Sequence, residues 1–113
     1  MYMTIQELSV KNLFASAKSA EAFHASIDRL NTEVEFTQLD VGLTGLASES
    51  GEALDILKKL KYHGKTFTEM EDKLLLELAD VYFYLLVSLD AIGVSDVELA
   101  NILKRKLEAL NRK

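Results

Sequence analysis

The stretch LLLELADVYFYLLVSL, residues 74–89, carries only two charged side chains, Glu77 and Asp80. Apolar residues fall on every side of the helix that this stretch would form. We therefore expect a helix buried on most sides, at the centre of a bundle or at an oligomer interface. The two acids are three residues apart and share one face. A buried carboxylate costs several kcal/mol unless it is paired or binds a metal, so this pair needs partners.

A second acid pair lies upstream in ASESGEALDILKKL, residues 47–60. At about 100° per residue, Glu49 borders the apolar stripe of this helix and Glu52 lies one turn further on. One buried acid most often pairs with a lysine or an arginine. Two such pairs on the two most apolar helices instead favour a site that all four carboxylates share.

The surrounding sequence predicts helices with short connections. The patterns Thr4-Ile5-Gln6-Glu7, Thr68-Glu69-Met70-Glu71 and Ser95-Asp96-Val97-Glu98 resemble capping boxes and mark helix starts. We expect four helices, over about residues 5–30, 36–62, 69–92 and 96–111, with a break at Asn31-Thr32 and with Gly64 and Gly93 after the second and third. The fold class predicted is all-α, a four-helix-type bundle formed by residues 1–113 as a single domain.

The composition of the chain excludes some classes of site and of binding partner. The chain of 113 residues has no cysteine, which excludes disulfides and thiolate metal ligands, and its net charge of −5 argues against nucleic-acid binding. No apolar run is long enough to cross a membrane, and the N-terminal segment lacks the apolar core of a signal peptide, so we expect a soluble, cytoplasmic protein.

The four carboxylates predict a hard-cation site. Glu49, Glu52, Glu77 and Asp80 could point to one place if their helices are antiparallel neighbours. They cannot all remain ionised there without a counter-charge. Oxygen ligands without histidine or cysteine suit Mg²⁺, for which Mn²⁺ can substitute, and Mg²⁺ in such sites commonly bridges to phosphates. The pattern indicates a metal site for a phosphorylated ligand.

These motifs resemble those of the MazG-like all-α nucleoside triphosphate pyrophosphohydrolases, whose signature is E-E-x-x-E, a spacer and then E-x-x-D. The chain has SESGE at 48–52 and ELAD at 77–80, with 24 residues between Glu52 and Glu77. Similarity extends over about residues 36–107 and includes VELANILKRKLEAL near the end. Two positions depart from the family: Ser48 replaces the first glutamate, and Glu108 stands where relatives often have an arginine.

The resemblance implies Mg²⁺-dependent hydrolysis of a (deoxy)nucleoside triphosphate to the monophosphate and pyrophosphate, in a homodimer or a dimer of dimers. The four acids would hold the metal, with Glu49 and Glu52 also catalytic and Glu49 the candidate general base. The substrate contacts expected are Lys59, Tyr84, Asn101 and Lys104. Lys59 lies at about 280° from Glu49 and is better aimed at the acids than Lys58, which lies at about 180°.

Alternatives remain at this stage. The same chemistry could act on phosphoribosyl-ATP, dUTP or dCTP, or the chain could be a non-catalytic helical module whose acids form structural ion pairs. The only E-x-x-H motif, at Glu21 and His24, is one short of the pair that a di-iron bundle uses.

Overall fold

Every regular element in the described part of the chain, residues 2–13 and 19–112 of a computed structural model, is an α-helix. The all-α class is therefore confirmed. The elements are α1 (Ile5–Leu13), α2 (Ala20–Glu33), α3 (Phe36–Tyr62), α4 (Phe67–Ala91) and α5 (Asp96–Asn111). The chain divides into two compact units, Met1–Phe36 and Thr37–Lys113, so the single domain predicted over residues 1–113 stays a prediction.

In the first unit, the prediction of one helix over residues 5–30 is wrong. The hydroxyl of Thr4 accepts a hydrogen bond from the Glu7 N–H (3.1 Å), as predicted for a helix start. A second start follows at Ser19, which has extended backbone angles and whose hydroxyl accepts from the Ala22 N–H. Serine satisfies an otherwise unpaired donor in this way, and α2 begins after it. Residues 14–18, including Ala17 of the predicted apolar stripe, lie outside the described residues.

The first unit also contains the predicted break at Asn31-Thr32, and this prediction is wrong as well. Helix α2 continues to Glu33 and ends at Val34, whose extended backbone stops the helical repeat.

In the second unit, the boundaries of α3 agree with the prediction. After α3, Gly64 has a φ of +67°, a conformation that glycine adopts without steric cost. The next helix starts two residues earlier than predicted, because the capping box uses Thr66 and Glu69 rather than Thr68 and Glu71. At the far end of α4, Gly93 has a φ of +74° and Ser95 caps α5, both as predicted.

Helices α3 and α4 pack closely in an antiparallel arrangement. A β-carbon added at Gly42 would collide with Ser88, and one added at Gly45 would collide with the Tyr84 ring. Near the start of α3, the Gln38 amide donates to the Val87 carbonyl (3.0 Å) and to an Asp90 carboxylate oxygen (2.8 Å). As the residue numbers on α3 increase, the numbers of their partners on α4 decrease, which shows that the two helices run in opposite directions.

Much of the apolar surface of α4 is exposed in one chain. Among the described residues, the buried ones are Gly42, Ile56, Met70, Ser88, Leu89 and Ala91. Leu76 is 67% exposed and Leu75 is 55% exposed, so a single chain does not bury α4 on most sides. The reason is geometric: α3 covers one side of α4, and α5 covers part of another. The alternative, that the apolar surface of α4 lies at an oligomer interface, stays a prediction.

None of the helices in the described ranges combines the length and the apolar composition needed to cross a membrane.

Candidate metal site

The α3–α4 packing brings the predicted acids level with one another. Gly45 lies opposite Tyr84. In an antiparallel helix pair, the residue number rises by one along one helix as it falls by one along the other. Continuing this register places Glu52 opposite Glu77. The small glycine surfaces allow the backbones to approach, so the carboxylates one and two turns further along α3 meet those on α4.

Three of the four predicted ligands form a cluster. Carboxylate oxygens of Glu49, Glu52 and Glu77 all lie within 4.8 Å of one another. Glu49 and Glu77 are half-buried and Glu52 is exposed. One oxygen each of Glu49 and Glu77, Oε2 in both, is buried and has no hydrogen-bond donor. Since no described side chain supplies a counter-charge to the cluster, these two oxygens are incompletely satisfied.

The crowding of the cluster changes the protonation of Glu77. Its pKa is raised from 4.5 to about 7. The first cause is hydrogen bonding with Glu49 and then with Glu52, which requires a proton on the carboxyl group, and desolvation and charge repulsion by the same two acids add to it. When all three groups are ionised, their facing oxygens are only acceptors, and a shared proton or a bound cation would relieve the repulsion between them.

The cluster fits a small divalent cation. Mg²⁺ binds oxygen at about 2.1 Å, so two of its ligand atoms lie at most about 4.2 Å apart. The three carboxylate oxygens lie within 4.8 Å of one another, which is close to this limit, and side-chain rotation can bring them closer. The two buried oxygens without donors are the acceptors that such an ion would satisfy.

The fourth predicted ligand, Asp80, is exposed and is not part of the three-acid cluster. The register of the two helices nevertheless places it near the level of Glu49, one turn along α4 from Glu77. Its role as a metal ligand stays a prediction.

An open groove of about 650 Å³ borders the cluster on the side of the α3–α4 turn. Lys59 lines it and forms an ion pair with Asp55 (3.6 Å), and its predicted substrate contact stays a prediction. A second lysine in the lining, Lys73, was missed by the sequence analysis. It lies four residues before Glu77 and therefore on the same face of α4, which is the signal that could have identified it. The groove residues are Ser48, Gly51, Glu52, Asp55, Ile56, Lys59, Lys73, Leu76 and Glu77.

Tyr84 lies on the other side of the cluster. Its ring packs over Gly45 and makes an edge-to-face contact with Phe83, at 5.1 Å between ring centroids. It also lines a second pocket of about 400 Å³ that includes Thr44 and Ser48. Tyr84 is therefore a packing residue that is accessible to a ligand, and its predicted substrate contact stays a prediction.

Asn101 and Lys104 line neither the groove nor the Tyr84 pocket, and their predicted substrate contacts stay predictions. Both are exposed on α5, where Lys104 pairs with Glu108 (4.0 Å). Helix α5 faces the side of α4 that presents Tyr82, Leu85, Leu86 and Leu89. That side is about 80–180° around α4 from Glu77, so α5 is turned away from the acids.

No family model matches the chain, and no curated protein or solved structure matches it.

Proposed function

We propose that the chain is a Mg²⁺-dependent nucleotide pyrophosphohydrolase of the MazG-like type. It would cleave a (deoxy)nucleoside triphosphate to the monophosphate and pyrophosphate. The observation that carries the proposal is the pair of buried carboxylate oxygens without donors, on Glu49 and Glu77, beside a groove lined by two lysines. A cation site next to ammonium groups suits a polyphosphate, which binds to both.

Each residue has a physical role in this proposal. Glu49, Glu52 and Glu77 hold Mg²⁺, or Mn²⁺ in its place, and Asp80 is the proposed fourth ligand. The bound metal would neutralise the phosphates and lower the pKa of a bound water. Glu49 is half-buried and would accept a proton from the attacking water, and Glu52, which is exposed, would orient the same water.

The remaining predicted contacts concern the substrate. Lys59 would stabilise the charge on the departing pyrophosphate. Tyr84 would contact the nucleotide from its pocket. Asn101 and Lys104, which are turned away from the acids of their own chain, would have to reach the substrate of a neighbouring subunit. The base and the sugar are not specified by these residues, so phosphoribosyl-ATP, dUTP and dCTP belong among the test substrates.

Assembly into a homodimer or a dimer of dimers is part of the same proposal. Two helices of the second unit leave large apolar side chains more than half exposed, among them Leu75, Leu76 and Phe83 on α4 and Val97, Leu103 and Leu110 on α5. Apolar surface on this scale is usually covered in a native assembly. It also favours the rival proposal, a non-catalytic helical module that only mediates assembly.

The deciding experiment measures pyrophosphate release from a panel of nucleoside triphosphates with Mg²⁺, with Mn²⁺ and with EDTA. The unmodified chain should release pyrophosphate only with metal, and Glu52→Gln should reduce the rate by at least about a hundredfold because it removes a ligand. Glu98→Gln, a change on exposed α5, is the matched control. Melting curves on the same samples separate the proposals, since an enzyme site gains stability from metal. Folded protein with no release and no metal-induced stabilisation would favour the helical module.

A further inference from the structure

Lys73 is the one lysine of the groove with no salt bridge among the described residues. It projects from α4, whereas Lys59 projects from α3, so the groove has an ammonium group on each of its two helices. Lys73 precedes Glu77 by four residues, which is about 6 Å along the helix axis, and lies on the side of the α3–α4 turn. Both lysines are therefore on the same side of the acid cluster.

The charges of the groove make anion binding conditional on the metal. Its lining contains three carboxylates, from Glu52, Asp55 and Glu77, and two ammonium groups. The groove alone thus carries one net negative charge when these groups are ionised and repels a phosphate. Glu49, the third acid of the cluster, adds another negative charge beside the groove, so one bound divalent cation brings the total charge of these groups to zero. The net repulsion is then removed, and the two lysines can attract a phosphate that also contacts the metal.

We propose that Lys59 and Lys73 together form a phosphate clamp for the two outer phosphates of the substrate, the group that leaves as pyrophosphate. This inference rests on the proposed function and assigns an orientation to the bound substrate. The pyrophosphate lies in the groove toward the α3–α4 turn, and the nucleoside lies on the opposite side of the acids. Ser48 lines both the groove and the Tyr84 pocket and marks the junction between the two.

The open space beside Gly51 is consistent with the same orientation of the substrate. A β-carbon at this position would have no atom within 4 Å, and the residue lines the groove. The glycine thus keeps open the space beside the acids that a phosphate chain would need, although a larger residue would be accommodated by the fold.

The test is calorimetric titration of the chain with inorganic pyrophosphate, with Mg²⁺ and with EDTA. Hydrogen bonds to charged groups are strong enough that Lys73→Met should weaken binding about tenfold, whereas Lys73→Arg should retain most of it. Lys58→Met is the matched control, because Lys58 is the same residue type on the same helix as Lys59 but does not line the groove. Gly51→Met should block binding sterically while leaving the melting temperature of the metal-free chain no lower.

The outcomes distinguish the clamp from the proposed function. Equal pyrophosphate affinity in the unmodified chain, Lys73→Met and Lys58→Met would overturn the clamp, and so would the absence of any binding to the unmodified chain with Mg²⁺. Nucleotide hydrolysis is assayed separately on the same samples. Hydrolysis with a KM that Lys73→Met leaves unchanged refutes only the clamp, whereas metal-dependent pyrophosphate binding without hydrolysis of any nucleotide supports the clamp and refutes the proposed activity.

Discussion

Protons and Mg²⁺ should compete for Glu77, so acidification should weaken metal binding by a calculable factor. The pKa of Glu77 is raised to about 7 by Glu49 and Glu52. With this value, about nine-tenths of the Glu77 carboxyl groups are protonated at about pH 6 and about one-tenth at about pH 8. A metal binds the deprotonated form, so its apparent affinity should fall about tenfold between about pH 8 and about pH 6.

Calorimetry measures both the affinity and the proton exchange. Titration with Mg²⁺ in two buffers of different ionisation enthalpy counts the protons released per metal bound. We expect about 0.9 proton at pH 6, about 0.5 at pH 7 and about 0.1 at pH 8. Glu77→Gln is the control, since it should bind metal more weakly and release no such proton. An affinity that stays constant from pH 6 to pH 8, with no proton release, would refute the shared-proton cluster.

The same carboxyl group links pH to the stability of the metal-free chain. The folded form holds the Glu77 proton up to about pH 7, whereas the unfolded chain releases it near the ordinary value of 4.5. This contribution to stability is fully present below pH 4.5 and is lost as the pH rises through 7. In EDTA, the melting temperature should decline over that window in the unmodified chain and decline less in Glu77→Gln.

Two further predictions concern packing. Gly51→Ala should raise the free energy of unfolding by about 0.5–1 kcal/mol, because alanine favours a helix and its β-carbon meets no neighbouring atom. Gly45→Ala should lower the free energy of unfolding by about 1–3 kcal/mol, because its β-carbon would collide with Tyr84. Chemical denaturation measures both changes, and equal effects of the two substitutions would contradict the α3–α4 contact. Sedimentation at micromolar concentration should detect a dimer or a larger assembly. The double variant Leu75→Lys, Leu78→Lys should shift the assembly toward the monomer. A stable monomer of the unmodified chain would refute the proposed assembly.

Local signals predicted the ends of the helices in the second unit. Gly64 and Gly93 follow apolar periodic segments and adopt the positive φ values that their positions require, and Ser95 caps the last helix. The sequence TFTEME contains two overlapping capping boxes, and periodicity does not choose between Thr66 and Thr68. The structure uses the earlier one, which adds Phe67 and Thr68 to the helix.

The arrangement of the helices was harder to predict than their extents. The spacing of the acids along the sequence shows that Glu49 and Glu52 lie one turn apart on one helix and that Glu77 lies on another helix. It does not show which helix packs against which face. Spacing therefore gave no means of placing Asn101 and Lys104 relative to the acids, and the structure puts α5 on a different side of α4. The Ser19 helix start was missed because the apolar spacing continues across it.

The glycines of α3 connect the fold to the site. Gly42 and Gly45 weaken an isolated helix, yet they lie where α4 approaches most closely. The close approach brings Glu49 and Glu52 against Glu77, and their mutual repulsion opposes the packing that the glycines permit. A structural role for these acids would place a lysine or arginine among them, but the lysine of the nearest ion pair in the described chain, Lys59, contacts Asp55 instead. In the chain alone, a proton on Glu77 relieves this local conflict between packing and charge, and the proposed cation would take the place of that proton.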